Sequence, residues 1–127
     1  MTQGLEAITT ATLALALDAA SMRQQAIASN IANAGTEGYV PLRLNFEAQL
    51  DEVRRTVRER GSADPFALAA VRLQLEPVLD ANGAPAKVQL DAEMASLSEN
   101  AVRYQSLAKG LSRHFAILSS AVGDGRK

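Results

Sequence analysis

A chain of 127 residues is one domain's worth of sequence, and its 47% hydrophobic content holds only 4% aromatics and no tryptophan, so alanine and leucine must carry the apolar surface. Thirteen basic residues nearly balance fourteen acidic ones for a net charge of -1, which gives no electrostatic footprint for nucleic acid. The absence of cysteine excludes disulfides and thiolate metal sites.

The pattern predicts a first helix from Gln3 to Asn33, roughly 45 Å long at 1.5 Å per residue. Leu5, Ile8, Thr12, Leu15, Ala19, Met22 and Ala26 step alternately by three and four, the spacing that sets residues on one helix face and asks for a partner helix. A second row at Leu13, Leu17, Ala20, Ile27 and Ile31 implies cover on more than one side. Asn33-Ala34-Gly35 is the expected stop, because Asn and Gly accept the left-handed conformation that closes helices. The start has no basic region, long apolar core or small-residue cleavage site, so no secretory signal is expected. The apolar stretch from Ala11 to Ala20 contains Asp18 and is too short to span a membrane.

Thr36-Glu37-Gly38 reads as a turn, and Val40-Pro41 as extended backbone. Asn45 is placed to cap a short helix with Phe46, Leu50, Val53 and Val57 on one face and an Asp51–Arg55 pair in support. Gly61 to Pro65 breaks it. Val71, Leu73 and Leu75 alternate with polar residues, Asn82-Gly83 is a hairpin signal, and Lys87 to Leu90 is the expected returning strand.

Asp91 is the expected cap of the last helix, with Glu93 complementing its dipole. Met94, Leu97, Ala101, Tyr104, Ala108, Leu111, Phe115, Leu118 and Val122 then step by three and four without a fault. The resulting fold class is mainly α: two long terminal helices form an antiparallel coiled-coil-like hairpin around a small irregular or β-hairpin middle segment. Residues 1–34 and 91–127 make the helical core, and residues 35–90 are an insertion. Doubly apolar helices of this length leave rows uncovered in a monomer, which points to packing against further copies. His114 has no carboxylate or cysteine at ligand spacing and reads as a surface residue. No phosphate loop, nucleophile elbow or metal-binding helix motif occurs, and the Glu-x-x-His companion that Glu93 and Glu99 would need for a di-metal site is missing. Neither catalysis, a cofactor nor a small-molecule ligand is expected.

The run from Ser29 through Asn30, Asn33, Gly35 and Gly38 to Tyr39 resembles the signature that follows the first helix in bacterial flagellar rod and hook axial proteins. Asn45-Phe46-Glu47-Ala48 and the run from Leu90 to Gln105 are similar to the proximal-rod members of that group. The chain departs from the group's pattern at Glu37, Val40 and Gln89, where proline, a basic residue and aspartate are usual. The resemblance implies a structural subunit of the flagellar basal body, part of a torque-transmitting tubular shaft crossing the periplasm. It also implies export through the flagellar type III apparatus without signal cleavage. The implied partners are other copies, other rod subunits, the rod-to-export-gate adaptor and the export gate. Phe46 and Leu50 resemble the motif that early substrates present to that gate; as residues alone they read as a buried helix face. The competing reading, a soluble helical adaptor or secretion-chaperone-like module that binds an amphipathic partner helix, stays open at this point.

Overall fold

The computed structural model describes residues 2–45, 47–61 and 65–124. In chain order it contains α1 (Thr2–Ala32), β1 (Leu42–Asn45), α2 (Glu47–Arg60), α3 (Pro65–Ala69), β2 (Gln74–Pro77) and α4 (Leu90–Asp124). The fold is mainly α. Its two long terminal helices pack together in antiparallel fashion, with a small antiparallel β element between them in sequence.

Three different neighbours surround α1, which explains why its apolar residues form two rows. Along one flank lies α4: Asn100 Nδ2 donates to Ala20 O at 2.8 Å and to Gln24 Oε1 at 2.8 Å, while Thr10 Oγ1 meets His114 Nε2 at 3.2 Å. Another flank carries α3, where Leu15 and Met22 border a recess with Leu68, Val71 and Leu73. The end of α1 meets β1 through Asn30. Among the described residues, the buried hydrophobic ones are Ala19, Ala20, Ala26, Leu44, Val53 and Leu68. Three of the six are alanines, and small side chains at the centre allow close backbone approach at modest buried area per residue.

The end of α1 departs from expectation in its chemistry. No described residue other than glycine has positive φ, and among the loop glycines it is Gly38 (φ 79), not Gly35, that is left-handed. The helix closes without a left-handed residue. Asn33 N and Asn33 Nδ2 both donate to Ser29 O, at 3.0 and 2.9 Å, and Thr36 N returns to Asn33 O at 3.0 Å. The short amide side chain competes with the backbone for the last carbonyls and ends the helix itself.

The β element also pairs differently in detail. β1 pairs with β2 in antiparallel register, Leu42 opposite Pro77 and Asn45 opposite Gln74, and residues 87–89 form no strand. The Asn82-Gly83 turn is present: Gly83 has φ 81, Asp80 Oδ1 accepts from Asn82 N and Ala84 N at 2.9 and 3.0 Å, and a single bridge joins Leu79 to Pro85. Asp80 N donates to Ala84 O at 2.7 Å and Ala86 N to Val78 O at 2.9 Å on either side of that bridge. The pairing goes no further, and β2 takes β1 as its partner instead. Asn45 is the last residue of β1, and its Nδ2 donates to Glu76 Oε2 at 2.7 Å. On α2 the acidic and basic residues pair at a spacing of three, Asp51 with Arg54 and Glu52 with Arg55 at 3.5 and 2.5 Å, rather than as Asp51 with Arg55. Both pairs are well exposed and contribute little. Asp91 is not the cap: α4 begins at Leu90, and Asp91 lies with Glu93 inside its first turn.

Candidate assembly face and signature loop

Two features are candidates for function: the loop that leaves α1 and the outward face of α4. The loop is organised by Asn30, 1% exposed and the largest fully buried side chain among the described residues. Asn30 Nδ2 donates to Leu42 O at 3.0 Å, and Leu42 N donates to Asn30 Oδ1 at 2.9 Å. The Tyr39 hydroxyl donates to the same Oδ1 at 2.9 Å and lies 3.0 Å from Ser29 Oγ. Thr36 Oγ1 donates to Asn33 Oδ1 at 3.3 Å, and Tyr39 N donates to Thr36 O at 3.2 Å. A buried carboxamide is tolerable only when its donors and acceptors are met, and here the loop backbone meets them. Asn30, Asn33 and Tyr39 thus converge in one network, with Gly38 supplying the left-handed turn that brings Tyr39 back. Gly35 is exposed, and nothing approaches within 4 Å of where its Cβ would be.

On α4 the heptad divides. Leu97, Leu111 and Leu118 are half-buried, as are Ala101 and Ala108. Met94, Tyr104 and Phe115 are exposed at 51%, 44% and 50%, with Val102, Ile117 and Val122 at 65%, 59% and 60%. Toward α1 the helix presents a row that the apolar pattern passes over: Asn100 is buried, and Leu107 and His114 are half-buried. Steps of three and four fit both rows, since Leu97, Tyr104, Leu111 and Leu118 are common to them. Two of the three alternate positions are polar, so hydrophobicity alone selects the wrong companion row for α1. His114 is accordingly a seam residue bonded to Thr10 rather than a surface residue. On α1, Ile8, Leu15 and Met22 are half-buried, the last two beneath the α3 side. Phe46 lies outside the described residues, as do the side chains of Leu5 and Leu50.

Between the helices and β1 lies a cavity of about 280 Å³ bordered by Arg23, Leu42, Leu44, Glu93, Glu99, Asn100 and Arg103. Asn100 is 3% exposed, and its Oδ1 has no hydrogen-bond partner. Partial burial, and then the charge of Arg103, hold the Arg23 guanidinium below its ordinary pKa. Among the described residues no group of three or more His, Asp or Glu side chains could hold a metal ion, and no helix is long and apolar enough to cross a membrane.

The family model for the flagella basal body rod protein matches residues 11–39, a span that ends on Tyr39, the residue whose hydroxyl closes the Asn30 network. The flagellar basal body rod protein FlgB of Yersinia ruckeri is 30% identical over 108 residues, covering 72% of this chain and 76% of that protein. This chain belongs to the FlgB family of flagellar basal body rod proteins. FlgB of Escherichia coli is 29% identical over 114 residues, 76% of this chain and 80% of its own length. FlgB of Bacillus subtilis is 26% identical over 118 residues, 87% and 90% of the two chains. These alignments span more than the terminal helices, so the FlgB likeness includes part of the insertion as well as the signature loop. The family is a structural one, in keeping with a molecule whose conspicuous features are helix faces and a hydrogen-bonded loop.

Proposed function

We propose that the chain is a structural subunit of the proximal flagellar rod, assembling by helix packing into a tubular shaft that transmits torque. Membership of a basal-body rod family supports the setting. The observation that carries the mechanism is the row of large apolar side chains left exposed along α4, from Met94 through Tyr104 and Phe115 to Val122. An exposed apolar row rimmed by polar residues marks an association surface. Repeated head-to-tail contact between identical surfaces builds a helical filament. Residues 1–34 and 91–127 act as the axial core, and residues 35–90 as an inserted outer segment that the signature loop orients.

Other rod subunits, the rod-to-export-gate adaptor and the type III export gate are the partners of this reading, with export of the chain before assembly and no signal cleavage. Leu111→Asp or Phe115→Asp, introduced at the chromosomal locus, checks it: swimming and intact basal bodies in both strains would overturn the packing mechanism. Phe46→Ala separates export from folding. A secretion defect with unchanged circular dichroism supports recognition by the gate, and loss of helicity with normal secretion assigns Phe46 to the fold.

A further inference from the structure

A two-stranded sheet has two open edges, each a template for strand addition by another chain. Along an antiparallel pair, residues point their peptide groups alternately at the partner strand and away from it. Val78 N donates to Pro41 O at 2.9 Å, so that pair points inward and the next pair, Leu42 with Pro77, points outward. On β1 both outward groups of Leu42 are taken by the carboxamide of Asn30, the N–H by Oδ1 at 2.9 Å and the carbonyl by Nδ2 at 3.0 Å. A peptide group of a neighbouring strand would make the same two bonds. On β2 the outward position at the same level is Pro77, which has no N–H to offer. The next outward pair is Leu44 with Leu75; Leu44, on the β1 edge, is only 7% exposed, and Leu75, on the β2 edge, is half-buried.

We infer that Asn30 and Pro77 are edge plugs, a side-chain stand-in for a strand on β1 and a missing donor on β2, which close the sheet to strand addition by a second copy of this chain. Copies are thereby confined to meeting through their helices. That last consequence rests on the rod reading, whereas closure of the edges is a property of the purified protein. Tyr39 and Ser29 act as positioning residues for the β1 plug, since the hydroxyl bond to Oδ1 fixes which way the carboxamide faces.

The experiment compares the purified full chain with its Asn30→Ala, Pro77→Thr and doubly substituted forms by amide exchange, sedimentation and infrared amide I spectra. Asn30→Ala should raise exchange at the Leu42 amide by roughly tenfold or more, the scale expected when ordinary hydrogen bonds are lost, with exchange across residues 93–101 little changed. The double variant should associate with a new strand signal at concentrations where the parent does not. Should Asn30→Ala unfold the chain, Pro77→Thr, at an exposed position with the Asn30 network intact, still decides the matter by gaining strand-mediated association alone. Unchanged Leu42 exchange in Asn30→Ala, or parental sedimentation and infrared spectra in every folded variant, would overturn the inference. Loss of rod assembly in the helix-face variants with closed edges in the parent leaves it standing, so its failure is distinct from failure of the rod reading.

Discussion

The two ends of the helical hairpin are built differently. At the loop end, where α1 finishes and α4 begins, Ala26, Asn30 and Asn100 are exposed by only 3%, 1% and 3%, and β1 adds cover at Asn30. Toward the far end Thr10 Oγ1 meets His114 Nε2 at 3.2 Å, and Phe115, Ile117 and Val122 stand 50%, 59% and 60% exposed. The inserted segment reaches from the loop end along α1 to about Ala11 through α3 and residues 71–73, while the apolar row of α4 stays uncovered. The loop end is therefore tied together on its α1 side, although Leu90, Met94 and Val102 of α4 stand 49%, 51% and 65% exposed there. The far end adds apolar surface that burial elsewhere would stabilise at roughly 25 cal/mol per Å². A subunit built this way has a folded seed and an adhesive arm.

The sharpest way to break the comparison is to charge the arm. Phe115→Asp puts a carboxylate where the contrast predicts a buried contact between copies, and an unpaired buried charge costs several kcal/mol. Because Phe115 is half exposed in the single chain, the purified subunit should keep its far-UV spectrum while swimming and rod formation are lost. Leu111→Asp should do the same with some loss of helicity, since Leu111 also faces α1. Normal motility with Phe115→Asp would place assembly elsewhere.

The contrast also predicts a gradient of local stability within one helix pair. Amides in residues 19–32 and 93–101 should exchange at least about tenfold more slowly than those in 108–122, because opening free energies follow local burial and contact. Association should slow the far-end amides and leave the loop end nearly as it was. A flat exchange profile along both helices would mean that the hairpin folds as one unit and that the division into seed and arm is wrong.

Much of this architecture was legible in the sequence, and the exceptions share a cause. The helix pair and the small antiparallel element between them follow from heptad spacing and turn chemistry, and the family from the signature residues, whereas the bonds that join Asn30, Asn33 and Tyr39 do not follow from the sequence. What escaped was the choice among geometrically equivalent options. Leu97, Tyr104, Leu111 and Leu118 serve equally well beside Ala101, Ala108 and Phe115 or beside Asn100, Leu107 and His114, and only the actual packing shows that the second row faces α1. Likewise the alternation over residues 71–79 marks a strand without naming its partner, and only the register shows that partner to be β1 rather than residues 87–90. Gly35 and Gly38 are indistinguishable as left-handed candidates until the helix end is known to close through Asn33 instead.

The two buried asparagines allow a finer comparison. Asn30→Ala strips the Leu42 peptide of both partners and leaves the Tyr39 hydroxyl without its acceptor, so a loss of about 2–3 kcal/mol is expected. Asn100→Ala removes two bonds, to Ala20 O and Gln24 Oε1, but also removes the orphaned Oδ1, so its cost should be nearer 1 kcal/mol. Urea denaturation of both variants under conditions where the parent unfolds in two states checks the order. A larger loss for Asn100 would show that the seam, not the loop, holds the folded end together.

The smallest effect belongs to the far end itself. Thr10→Val keeps the size of the side chain and removes the hydroxyl that meets His114. The pair is partly buried, so its net worth lies at the low end for a neutral hydrogen bond, about 0.5 kcal/mol. The isolated subunit should lose no more than that, because little else in the described far end depends on the contact. Rod formation should tolerate the change as well, since the apolar arm from Phe115 to Val122 is untouched. If Thr10→Val instead costs as much as Asn30→Ala, the Thr10–His114 contact is a true anchor. The far end would then be folded in the free subunit, and the apolar row on α4 would be a finished surface rather than one awaiting its neighbour.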